Sequence, residues 1–218
     1  MATYLELINQ VLVKLREPVV ASPSENEYSA MVGALVNETK REVEDAWRWV
    51  ALRQTIAIPT VAAQGEYSIT GAGKRFRLQD PLNSVYDATN KLYLKKVNAQ
   101  VLKQRAIENL SNGTPNSYYF EGFDSSGDPK VTLDRVPDGI YTINFNLVVP
   151  QVDLSAAADA LDAPEWPVVL GTYAKAIAER GEDDGRAHGE ALNKYGNALS
   201  DAIAFDESLT RDEATWYA

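Results

Sequence analysis

One long amphipathic helix constrains this chain more than any other feature. Ser24-x-x-Glu27 reads as a capping box, in which a hydroxyl and a carboxylate satisfy free N–H groups at a helix start. An apolar stripe then recurs at helical spacing: Tyr28, Met31/Val32, Leu35/Val36, Thr39, Val43, Ala46/Trp47 and Val50. The spacing predicts a helix of about 25 residues, ~37 Å long at 1.5 Å per residue. Such a stripe must be buried against other elements. Only one more helix precedes it, expected at about Tyr4–Arg16, with Thr3-x-x-Glu6 as its capping box and Pro18 as its stop. Its apolar residues Leu5, Ile8, Leu12 and Leu15 cover part of the long helix. The remaining partners have to come from later in the chain.

The last third supplies them. After a connector at 151–163 rich in Ala and Asp, a helix is expected from about Glu165, with Pro164 and Pro167 tolerated only in its first turn. Its stripe is Trp166, Leu170, Tyr173 and Ile177, and Gly181-Glu-Asp-Asp-Gly185 breaks it. Asp184 caps a further helix with the stripe Ala191/Leu192, Tyr195, Ala198/Leu199 and Ala202/Ile203. Residues 1–52 and 164–205 therefore read as one antiparallel helical bundle, with Trp47 in its core. Residues 206–218 lack a periodic stripe and read as an extended tail carrying Trp216 and Tyr217.

Between these ends the texture changes to short β-type runs. Thr55–Ile58, Glu66–Ile69, Phe76–Leu82 and Leu92–Lys96 are bounded by turn formers such as Pro59, Gly65 and Asn90. Ala99–Asn109 has helical propensity and reads as a short helix or a strand and turn. Tyr118–Phe123, Lys130–Leu133 and Ile140–Val149 follow, separated by Ser125–Pro129 and by Pro137-Asp138-Gly139, and read as an antiparallel meander. In the last run Tyr141, Ile143, Phe145 and Leu147 alternate with polar residues, as a strand with one buried face requires. The fold class expected is α+β: an antiparallel helical bundle, an inserted antiparallel β domain over 53–150 forming a sandwich or small barrel, and an extended C-terminal tail.

Composition narrows the chemistry. With no cysteine and a single histidine, His188, thiolate and His-pair metal sites are excluded, and neutral-pH general-base chemistry has little to work with. Gly71-Ala-Gly73-Lys74-Arg75 lacks the residues of a phosphate loop at both ends and reads as a basic turn. Asp124-Ser-Ser-Gly-Asp128 lacks the spacing of a calcium loop and reads as a polar hairpin tip. His188 is expected to be exposed and unligated. No cofactor and no catalytic or metal residue is assigned. No apolar run approaches the ~18 residues of a membrane span, and no basic-then-apolar leader opens the sequence, so a cytoplasmic origin is expected.

Charge is segregated. Lys plus Arg minus Asp plus Glu gives 5 − 8 = −3 for residues 1–52, 11 − 9 = +2 for 53–150 and 5 − 14 = −9 for 151–218. An acidic whole argues against a dedicated nucleic-acid binder. The local excess of Lys74, Arg75, Arg77, Lys95, Lys96, Lys103 and Arg105 reads either as a contact surface for an acidic partner or as solvated charge on strand edges.

Gly113-x-Pro115-x-x-Tyr118, a Pro-Asp turn, a Tyr-x-Ile strand and a closing Pro150, set between helical ends, resemble the head-to-tail adaptor proteins of tailed bacteriophages, the tail tubular protein A type included. Arg135 stands where that family often has a second proline. The resemblance implies a non-catalytic virion protein of the neck or tail, made in the host bacterial cytoplasm. It implies a dodecameric homo-oligomeric ring beneath the portal protein that presents a platform to a tail nozzle or next tail ring. Genomic DNA would pass through without specific binding. It also implies that the C-terminal segment docks on the portal, which marks Phe205, Asp206, Leu209, Arg211, Trp216 and Tyr217 as portal contacts. Lys74, Arg75, Arg77, Lys95 and Lys96 are then candidates for contacts to a neighbouring subunit or tail component. The competing readings are another neck or minor tail structural protein, or a glycan-binding β-sandwich module.

Overall fold

The computed structural model describes residues 1–80, 82–101, 104, 112–181 and 186–210. The chain is a mixed α and β protein that divides into two compact units, Met1–Leu52 with Pro150–Ala218, and Arg53–Val149.

In the first unit, α1 spans Tyr4–Lys14 and begins at the capping box read from sequence: Glu6 N–H donates to Thr3 Oγ1 and Thr3 N–H to Glu6 Oε2. The next helix, α2, is shorter than its stripe suggested, Glu27–Ala46. Its box is Asn26 with Ser29, two residues later than Ser24 with Glu27. It stops because the backbone is extended at Trp47, and a 3₁₀ turn at Val50–Leu52 follows. Trp47 is only half-buried. The core tryptophan is Trp49, whose indole folds back to donate to the Val43 carbonyl at the end of α2 (2.6 Å).

Helix α3, Glu165–Arg180, is the centre of this unit, packed against α1, α2 and α4 (Arg186–Thr210). It ends at Gly181, whose φ of 63° allows the left-handed stop. Being covered on several sides, it buries Val168, Val169, Ala174 and Ala176 as well as Leu170 of the expected stripe. Trp166, placed on that stripe by periodicity, is 53% exposed. Gly171 lets α3 approach both neighbours: a Cβ there would stand 2.5 Å from Thr39 Cγ2 and 3.1 Å from the Tyr195 ring. His188 is half-buried, its Nδ1 3.0 Å from the Ala174 carbonyl oxygen, and so is not the exposed residue expected.

The stretch 151–163 is more than a link. Asn37 brackets Leu154 through both its amide groups, and Gln151 is gripped by the fully buried pair Lys40–Glu44. Leu154 and Leu161 are buried, and Leu161 N–H donates to the Ala2 carbonyl.

Among the described residues the second unit holds nine strands: β1 Arg53–Pro59, β2 Glu66–Ser68, β3 Arg77–Leu78, β4 Val85–Asp87, β5 Leu92–Tyr93, β6 Lys95–Lys96, β7 Ser117–Phe123, β8 Pro129–Asp134 and β9 Thr142–Val148. One sheet runs β1-β9-β4-β5 with β3 also on β9, and the other runs β2-β8-β7-β6. Tyr118, Val131 and Leu133 of one sheet share a core with Val85, Ile143, Phe145 and Leu147 of the other. Among the described residues these strands make two sheets and no barrel.

Two expectations are corrected here. β7 and β8 form the predicted hairpin, but β9 leaves it and pairs with β1, β3 and β4, so the three runs are not a meander. Arg135, at φ 57°, begins a reversal between β8 and β9 that changes sheets. The sheets are also not wholly antiparallel, since β6 runs parallel to β7. Leu92–Lys96, read as one strand, is interrupted at buried Leu94, which sends β5 and β6 to different sheets. The predicted element at Ala99–Asn109 lies mostly outside the described residues. Within them, Asn98 caps a helical start by accepting from Val101 N–H.

Candidate interaction surfaces

The end of α4 was read from sequence as an extended tail, yet the helix continues through Thr210. Phe205 and Leu209, one turn apart, are 68% and 61% exposed. Asp206, assigned with them to a partner contact, faces the other way. It is buried, accepting from the Trp47 indole N–H (3.0 Å) and from the Val50 N–H (3.1 Å). Its place is internal because a helix that exposes residues 205 and 209 turns residue 206 by about 100° toward the body of the unit. Arg211, Trp216 and Tyr217, and the proposed cap Asp184, lie outside the described residues.

Phe205 also lines a groove of ≈ 770 Å³ between α1, the start of α3 and α4. Trp166 lines it too, together with the apolar Pro167, Leu170, Ala198 and Ala202. Four charged groups line it: Lys14, Glu165, Lys194 and Asp201. Lys14 Nζ sits 4.7 Å from the Trp166 ring centre, and Glu165 accepts from the Gln10 side-chain amide (2.7 Å). Sequence reasoning missed this groove because it assigned Trp166 to the core. The signal available was Pro164 and Pro167 flanking it in a first turn, where one face is commonly open.

Among the described residues, the basic side chains named from sequence lie in more than one part of the second unit. Lys74 is exposed at the tip between β7 and β8, its Cε 3.0 Å from where a Cβ on Gly127 would stand. Arg75 and Arg77 are half-buried. Lys95 and Lys96 are exposed on β6, beside Ser117 and Tyr118 at the far end of β7. About six strand residues, ~20 Å, separate that end of the hairpin from its tip. The structure instead groups Lys95 and Lys96 with exposed Lys91 and Tyr93. Lys103 and Arg105 lie outside the described residues.

The carboxylates that chemistry might have used are engaged in turns. Asp128 Oδ1 accepts from Gly71 N–H (3.1 Å) and Gly73 N–H (3.0 Å), so the glycine turn cradles an acid of its own chain. Asp124 lies below the ordinary carboxylate range because the N–H of Asp128, and then the Ser68 side chain, donate to it. Among the described residues no group of three or more His, Cys, Asp or Glu is placed to hold a metal ion. No helix among them is long and apolar enough to cross a membrane.

What the two units present is a set of exposed apolar and charged faces. They fit a protein whose work is contact with other proteins. The chain belongs to the SU10 adaptor protein family, whose model matches residues 2–217 and so spans both units. It is thereby a phage structural adaptor, a virion neck component that assembles with other virion proteins such as portal and tail. No curated protein matches the sequence.

Proposed function

We propose that this adaptor forms a dodecameric ring beneath the portal protein, in the manner of the tail tubular protein A type. In that ring it joins the portal to a nozzle or next tail ring and leaves a channel for DNA. The observation that carries the reading is the apolar end of α4, with Phe205 and Leu209 turned outward immediately before the segment that bears Arg211, Trp216 and Tyr217. Large exposed apolar side chains clustered at one end of a helix mark a contact site, and aromatic residues favour interface hot spots. Asp206 acts behind them, fixing the helix end against Trp47 and Val50. A ring needs two unlike faces on each subunit, and the segregation of charge between 53–150 and the rest of the chain supplies them. Acidic groups facing the channel would repel DNA phosphates and let the duplex slide. The protein acts here without catalysis or cofactor.

Truncation after Thr210 tests the portal contact while sparing Asp206. Circular dichroism should match that of the full chain, and native mass spectrometry should show no complex with the portal. Portal binding at full strength would refute the role of the C-terminal segment.

A further inference from the structure

We propose that the edge Lys91–Lys96 of one subunit seats Tyr93 in the Trp166–Phe205 groove of a second copy of this chain. The inference rests on the ring reading above and names the two surfaces that would meet in it.

Residues 91–96 run along one side of the β unit, serving first as the outer strand of one sheet and then of the other. Lys91, Tyr93, Lys95 and Lys96 are all exposed, and the run contains no acid. Tyr93 is 63% exposed yet oriented by its tilted contact with Tyr86, ring centres 6.1 Å apart. Its backbone is open as well. Leu94 N–H donates to the Val85 carbonyl, so in the alternating antiparallel pattern Tyr93, opposite Tyr86, turns its N–H and C=O away from β4. The result is an aromatic anchor set between cations on a sheet edge that no described residue pairs, which calls for a partner.

The groove complements it. Its lining combines two aromatic rings with aliphatic side chains, and at ≈ 770 Å³ it has room for a tyrosine and a neighbouring side chain. Of its two cations, Lys14 already lies over Trp166, while Glu165 and Asp201 face cations arriving with the tyrosine. The wider field agrees. The segments that build the helical unit, 1–52 and 151–218, carry −3 and −9, against three lysines in the six residues of the edge. Edge and groove are different surfaces of one chain, as a head-to-tail contact requires.

The absence of cysteine makes the contact directly testable. The full chain carrying Leu92→Cys, which leaves Tyr93 in place, and Asn197→Cys, a groove-lining residue, is mixed with portal protein, oxidised and run on a non-reducing gel. Expected is a ladder beyond the dimer, whereas each single variant stops at the dimer. In parallel, Lys91→Glu with Lys95→Glu should weaken self-association about tenfold, with recovery on adding Glu165→Lys and Asp201→Lys. If native mass spectrometry shows rings but the double-cysteine chain gives no more than the single variants, this contact is wrong and the ring stands. If the chain remains monomeric with and without portal, ring and contact fall together. Loss of duplex-DNA retention by the Lys91→Glu, Lys95→Glu chain with unchanged rings would assign the lysines to phosphate and overturn the proposal.

Discussion

Replacing Lys40 by Met should destabilise the helical unit by about 3–5 kcal/mol, the usual cost of breaking a buried ion pair from one side. Lys40 and Glu44 are both fully buried, with Nζ 3.0 Å from Glu44 Oε1 and 2.7 Å from the Gln151 carbonyl. Gln151 N–H in turn donates to Glu44 Oε1 (3.1 Å). The Met variant leaves a carboxylate and a carbonyl in the interior without their cation. Adding Glu44→Gln removes the stranded charge and keeps an oxygen for the Gln151 N–H. The new amide NH2 is itself a buried donor beside the carbonyl that Lys40 served, so what remains at stake is neutral hydrogen bonding, and the double variant should lose about 1–3 kcal/mol and be more stable than the single one. All four tryptophans, 47, 49, 166 and 216, belong to the helical unit's sequence, so urea unfolding followed by tryptophan fluorescence reads that unit selectively. A single variant that loses under about 1 kcal/mol, or a double variant no more stable than it, would refute the reasoning.

Trp49→Ala should cost about 3–5 kcal/mol in the same assay, and Trp47→Ala clearly less, since only Trp49 is enclosed; equal losses would contradict this. Gly171→Ala should destabilise by about 1–3 kcal/mol despite the better helix propensity of Ala, because the new methyl meets Thr39 and Tyr195. A gain in stability would show that α2 and α4 yield at that point. Burial pushes the Tyr118 phenol from 10.0 up to about 12. The folded state disfavours its phenolate, so the associated stability is intact below pH 10.0 and lost as pH rises toward about 12. Spectrophotometric titration should show a late phenol that disappears in Tyr118→Phe.

Local chemistry was legible where a few neighbouring residues decide the outcome. Thr3 with Glu6, the stop at Gly181 and the alternation Ile143, Phe145, Leu147 all appear as read. What failed depended on distant partners. The strand Val85–Asp87 lies between turn-forming residues and is a strand only because β9 and β5 flank it. The turn at Pro137-Asp138-Gly139 was recognised, but nothing local says whether the next strand returns to β8 or crosses to β1. Periodicity likewise misplaced Trp166, because a helix covered by three neighbours has no single buried stripe. It also gave Trp47 the core position that Trp49 takes after the chain leaves the helix. At the interaction surfaces, Phe205 and Leu209 are exposed, but the inward turn of Asp206 required knowing that α4 continues.

That carboxylate sets where a mechanical tug on the far end of the protein is felt. A force applied beyond Thr210 meets Asp206 one helical turn in, and through it the Trp47 indole and the Val50 amide, three residues ahead of the first β strand. Tension therefore reaches the end of α2 and the 3₁₀ turn that follows it through that one carboxylate, and is shared by two parts of the helical unit far apart in sequence.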